Sequence, residues 1–93
     1  MQMGKLIKKR YLVNIMKNKI KNLILQASTK KRIKIKDNQD LLSHEILDSF
    51  SIIVLISSIE NEFKLKIDMK KFDLNKFRSL NQIYKLVKSN EKK

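Results

Sequence analysis

Ninety-three residues with no cysteine, no proline and one glycine describe one small domain that must hold itself together by side-chain packing, without disulfides or a thiolate metal site. The formal charge is +13, but only Arg10, Arg32 and Arg78 are arginine and aromatics make up 6%. The residue types that grip and stack nucleic acid are scarce, so no sequence-specific nucleic-acid binding is expected. The longest apolar run, Ile52 to Ile56, is too short to cross a bilayer, and residues 1–20 lack the apolar core and cleavage site of a signal peptide, so the chain reads as cytoplasmic.

Scarcity of glycine and proline favours helices joined by polar loops. Residues 1–10 read as a basic N-terminal extension, either a frayed basic arm or, preferred, a helix running backwards from the first predicted element, which spans Tyr11 to Ala27 with Leu12, Met16, Ile20, Leu23 and Ala27 on one stripe. A long loop follows over 28–47. Its segment from Lys30 to Lys36 alternates basic and apolar residues as a strand would, but no second strand exists to pair with it. It is therefore expected to be extended loop, anchored by Ile33 and Ile35, with Leu41, Leu42, Ile46 and Leu47 pinning its end over the core.

The second helix is predicted from Ser49 to Phe63. Phe50, Ile53, Ile56, Ile59 and Phe63 recur every three or four residues and mark a buried face. Val54, Ser57, Ser58 and Asn61 then point outward, with Val54 either widening the core stripe or awaiting a partner. Asp68 caps a short helix from Met69 to Asn75, with Met69 and Phe72 inward. Ser79 and Gln82 form a capping box for a last helix carrying Ile83, Leu86 and Val87 inward with Tyr84 beside them. Residues 90–93 read as a disordered tail. The expected fold is all-α: a small antiparallel bundle of three longer helices plus one short one, occupying 11–89. Its expected core is Leu12, Met16, Leu23, Ile53, Ile56, Ile59, Phe63, Phe72, Ile83 and Leu86.

The charge is unevenly placed. Residues 1–36 hold twelve Lys or Arg and no acid, whereas residues 37–63 hold six acids and no Lys or Arg: Asp37, Asp40, Glu45, Asp48, Glu60 and Glu62. An acidic island around Ser49 in so basic a chain is suited to electrostatic docking. Catalysis finds no support. His44 is the only histidine, which excludes a histidine metal cluster, and a Ser49–His44 pairing lacks the Gly-x-Ser-x-Gly elbow of a hydrolase. No metal site is expected.

Asp48 and Ser49 stand where loop gives way to helix. Either is a good N-cap, and a hydroxyl placed there lies by the positive end of the helix dipole, where a phosphate is tolerated. With this junction in view, the stretch from Leu41 to Val87 resembles the acyl and peptidyl carrier proteins, whose Asp-Ser-Leu-like motif corresponds to Asp48-Ser49-Phe50. Ile46-Leu47-Asp48-Ser49-Phe50, then Glu60-Asn61-Glu62-Phe63, then Phe72-Asp73 are similar in order and spacing to the D-alanyl carrier family. The chain departs from that pattern at Glu45, where such carriers often have glycine, at Phe77, where the D-alanyl carriers have tryptophan, and at Leu80, where they have proline.

The resemblance implies that Ser49 carries 4′-phosphopantetheine, transferred from coenzyme A by a phosphopantetheinyl transferase that supplies magnesium and a base. It implies docking through Asp48, Phe50, Val54, Ser57 and Asn61. The protein is then a non-catalytic, monomeric carrier of an acyl or aminoacyl thioester, D-alanine among the candidates. An adenylate-forming ligase or acyl synthase would load it, and an acyltransferase, with a membrane-bound one among the candidates, would unload it. The lysine-rich face of the first helix would favour residence near the anionic inner face of the membrane, though without a strong apolar stripe at the interface. The other function class compatible with the charge is a basic binding module, for nucleic acid or an anionic membrane, on a carrier-like fold.

Overall fold

A computed structural model describes residues 2–28, 34–43 and 45–91, with side chains from Lys9 to Asn90 among them. The expected anchor Ile33, most of the basic run before it, His44 and residues 92–93 lie outside the described residues. The fold is all-α. Helix α1 runs Gln2–Ala27, α2 Ser49–Phe63 and α3 Leu80–Glu91, and two 3-10 turns, Met69–Lys71 and Leu74–Phe77, lie between α2 and α3. Among the described residues there is no strand. No helix among the described residues is long and apolar enough to cross a membrane.

The core gathers Ile20 and Ile24 from α1, Ile52, Leu55, Ile56 and Ile59 from α2, and Leu80, Ile83 and Val87 from α3, with Phe77 from the second 3-10 turn. Ile35, Leu41, Ile46 and Leu47 of the long loop fill the remaining gaps. That loop is stitched to the start of α3. Leu41 N–H donates to the Arg78 carbonyl at 2.7 Å and Asn81 N–H to the Asp37 carbonyl at 3.0 Å, while the Asn81 amide donates to Asn38 Oδ1 at 2.7 Å. Arg78 Nη1 reaches both oxygens of Asp40, at 3.3 and 3.0 Å. Ile46 N–H and Leu47 N–H both donate to the Leu41 carbonyl at 3.0 Å, which ties the chain just ahead of α2 to the same anchored residue.

Four expectations change. The helix expected over 69–75 is instead the two 3-10 turns, because Asp68 and then Asp73 each cap a separate start, accepting from Lys70 N–H at 2.9 Å and Asn75 N–H at 3.0 Å. Met69 and Phe72 are consequently exposed, and Phe77 takes the buried aromatic position, with Phe72 stacked on its edge of the core at 5.6 Å between ring centroids. Leu12 is exposed because α1 meets the bundle only from about Met16 onward. Asn90 and Glu91, expected at the tail, belong to α3, where the Asn90 amide donates back to the Leu86 carbonyl at 2.9 Å. Half of the expected capping box forms: Gln82 N–H donates to Ser79 Oγ at 3.2 Å, so Ser79 caps α3.

The largest correction concerns the phase of α2. Its buried residues are Ser51, Ile52, Leu55, Ile56 and Ile59, so Ile56 and Ile59 are buried as expected, while Phe50 and Ile53, both placed on the same buried stripe, are 74% and 61% exposed. Phe63 is half-buried. The helix has turned relative to the expected stripe, and a second apolar face looks away from the bundle.

Candidate functional site

The site is the junction where the loop becomes α2. Asp48 has extended backbone geometry (φ −118°, ψ −176°) and its side chain accepts from Ser51 N–H at 2.8 Å, so Asp48 is the N-cap and Ser49 the first helical residue. The Ser51 N–H, and after it the Ser51 hydroxyl, hold the Asp48 carboxyl below the ordinary carboxylate range. This polar exchange is why Ser51 can be buried on the core side without an orphaned hydroxyl.

Ser49 is exposed, and its hydroxyl has no hydrogen-bond partner among the described residues. A hydroxyl left unengaged on a fixed backbone, at the positive end of a fifteen-residue helix, can accept a bulky phosphodiester without displacing core atoms. The capping role belongs to Asp48, which leaves Ser49 free for chemistry.

Phe50, Ile53, Val54, Ser57 and Asn61 are all exposed and follow one another at helical spacing along the outward side of α2. Of the docking residues expected from the sequence, all five, Asp48 included, are on the surface. Ile53 was missed. The signal available was the run of apolar residues from Ile52 to Ile56, which is too continuous for a single stripe and implies a second face.

The acidic island does not form a free negative patch. Asp37 pairs with Lys17 at 3.0 Å, Glu62 with Lys19 at 3.6 Å and Asp40 with Arg78 at 3.0 Å. Glu60 accepts from Ile67 N–H at 2.9 Å, closing the loop after α2. Asp40 also accepts from Ser43 N–H at 3.0 Å and Ser43 Oγ at 2.7 Å; these bonds lead the causes holding its carboxyl far below the usual range, with Arg78 adding to them. Five of the six acids thus have structural partners, Asp48 included, and the surface beside Ser49 is chiefly apolar.

Glu45 lies three residues ahead of the cap with φ of 57°, and Lys64 closes α2 with φ of 55°. Both occupy the left-handed region that disfavours a side chain with a Cβ. The Glu45 position is the one where carriers often have glycine. Replacing Glu45 or Lys64 with glycine is expected to raise unfolding stability by about 0.5–1 kcal/mol each, read as a higher urea midpoint at unchanged slope. A drop in midpoint would mean that the side chain contributes more than the backbone strain removes.

An all-α bundle that presents a rigidly placed, unengaged serine hydroxyl at the start of its second helix has the form of a carrier domain. The family profile described as the phosphopantetheine attachment site matches residues 18–87, well over half of the chain. The chain belongs to that family: it is a phosphopantetheine-bearing carrier, with 4′-phosphopantetheine as its cofactor. Domains of this family are non-catalytic and are themselves substrates of phosphopantetheinyl transferases. Among curated proteins no sequence matches the chain. No group of three or more metal-ligating side chains occurs among the described residues.

Proposed function

We propose that Ser49 is the attachment residue and that the chain carries a small acyl or aminoacyl group, D-alanine foremost, between a loading ligase and an acceptor transferase. The observation that carries the reading is the division of labour at the helix start: Asp48 caps α2, while the Ser49 hydroxyl is exposed inside the stretch matched by the family profile. In the transfer, the Ser49 Oγ attacks the β-phosphate of coenzyme A. The new Oγ–P bond replaces the pyrophosphate bond, 3′,5′-ADP leaves, and the hydroxyl proton passes to a base of the transferase. The attached arm then supplies the thiol on which the thioester is carried. This chain's own work is to hold Ser49 still and to offer a surface to visiting enzymes.

That surface comprises Asp48, Phe50, Val54, Ser57 and Asn61, with Ile53 added. An aromatic ring and two branched aliphatic side chains, left exposed on a rigid helix beside the reacting hydroxyl, suit burial by a partner. The aminoacyl assignment draws on the three segments similar to D-alanyl carriers, each of which has a structural task here: Asp48 caps α2, Glu60 closes the following loop, and Asp73 caps the second 3-10 turn. The partners are a phosphopantetheinyl transferase, an adenylate-forming ligase or acyl synthase, and a membrane-side acyltransferase. The carrier works as a cytoplasmic monomer near the inner face of the membrane.

Intact mass after incubation with coenzyme A, magnesium and a broad-specificity phosphopantetheinyl transferase tests the attachment. The wild-type chain is expected to gain one phosphopantetheine and Ser49→Ala none, with the two indistinguishable by circular dichroism. A Ser49→Ala chain that still gains the arm would move the attachment elsewhere. Incubation of the holo chain with ATP, a D-alanine-activating ligase and either D-alanine or a fatty acid then separates the cargo classes.

A further inference from the structure

Helix α1 is longer than the bundle requires. It holds 26 residues, about 39 Å of helix, yet from Lys9 to Lys19 no residue is buried, and Ile20 is the first that is. Tyr11 and Leu12 are 65% and 53% exposed, and Val13 and Ile15 are half-buried. A helical segment this short is marginal in water when nothing packs on it, so an arm rich in apolar side chains calls for a cover.

Charge indicates which cover. Where α1 lies on the bundle its lysines meet carboxylates, Lys17 with Asp37 and Lys19 with Glu62. Lys9 and Arg10 on the projecting part have no carboxylate partner among the described residues. Residues 1–15 contain Lys5, Lys8, Lys9 and Arg10 and no acid. A second copy of the chain would bring like charge onto like charge, each chain carrying +13. A nucleic acid would satisfy the cations and leave Leu12 in water. An anionic bilayer surface answers both: headgroups pair with the cations, while the headgroup–acyl boundary takes up the apolar side chains, with tyrosine at the interface.

We propose that the projecting part of α1, centred on Lys9, Arg10, Tyr11 and Leu12, is a reversible docking arm for anionic lipid bilayers. Lys19, between the arm and the core, pairs with Glu62 at the end of α2 opposite Ser49, so the start of α2 stays free for enzymes while the arm holds the carrier at the membrane. This deepens the membrane-side part of the function proposed above and stands independently of attachment at Ser49.

The test is co-sedimentation of the full chain with vesicles of phosphatidylcholine alone or mixed with phosphatidylglycerol. Binding is expected to need the anionic lipid. It should weaken at least about tenfold in Lys9→Glu/Arg10→Glu, and should weaken markedly in Tyr11→Ser/Leu12→Ser, a change that leaves the charge untouched. Lys70→Glu/Lys71→Glu, an equal charge change on the first 3-10 turn, should bind nearly as wild type. Because the chain has no tryptophan, Leu12→Trp provides a single indole whose emission should shift to the blue on anionic vesicles. Three results would overturn the proposal: equal loss from both charge pairs, no loss from the apolar pair, or an indole that stays in water. Those outcomes describe generic attraction of a basic chain. Stronger retention by single-stranded RNA than by the anionic vesicles, with the apolar pair again silent, would assign the arm to nucleic acid instead. A chain that is modified at Ser49 yet ignores vesicles defeats this proposal alone, whereas one that binds vesicles and is never modified defeats only the attachment.

Discussion

Leu55→Ala is expected to remove about 2–5 kcal/mol of unfolding free energy, whereas Ile53→Ala, two residues earlier on the same helix, should leave stability almost unchanged. Leu55 is fully buried in a core to which all three helices contribute, so its truncation leaves a cavity that the surrounding core can fill only by moving. Ile53 has most of its side chain in water, and alanine is the better helix former. Small domains hold about 5–15 kcal/mol in total, so the Leu55 variant should melt near working temperature while the Ile53 variant behaves as wild type. Urea titrations with equal slopes give both numbers directly. Equal losses at the two positions would mean that α2 presents Ile53 to the core after all.

That contrast marks where sequence reading was strong and where it failed. Helix starts were legible because capping is local: Asp68 and Ser79 accept bonds from backbone groups two and three residues ahead, and nothing distant enters. The all-α class followed from the near absence of glycine and proline, and the anchoring of the long loop from Ile35, Leu41, Ile46 and Leu47, all of which are buried. The phase of α2 was not legible. Five consecutive apolar residues, Ile52 to Ile56, support more than one stripe, and the choice depends on which neighbours α1 and α3 present. The best local clue was Ser51, which looks too polar for a core position until its hydroxyl is seen to be engaged by Asp48. Phe72 and Phe77 were exchanged for a related reason: two caps in place of one broke the expected helix into separate turns and re-aimed the rings.

At the site, the Asp48–Ser49 junction was readable because its geometry is decided within four residues. The fate of the acidic island was not. Asp37 is neutralised from twenty residues away and Asp40 from thirty-eight, distances at which a charge count along the chain carries no information about pairing. A run of acids in sequence became a set of internal ties, and the exposed face beside Ser49 was left to Phe50, Ile53 and Val54.

This reassignment changes which substitution should matter most for recognition. Phe50→Ser/Ile53→Ser is expected to lower kcat/KM for modification of Ser49 by about tenfold or more, as loss of a central apolar anchor does at an interface, with unfolding stability unchanged because both side chains already face water. The defect should persist in high salt. Asp48 needs a more careful substitution, since Asp48→Lys would remove the cap together with the charge. Asp48→Asn keeps an oxygen able to accept from Ser51 N–H, asparagine being as good an N-cap as aspartate, and deletes only the charge. Its effect on kcat/KM should be smaller, greatest at low salt, and gone once the Debye length falls to a few ångströms, about 3 Å at 1 M salt. If instead Asp48→Asn abolishes modification at every salt concentration while the Phe50/Ile53 pair is harmless, recognition runs through one specific polar contact at the helix start, and the apolar face of α2 serves a different partner from the transferase.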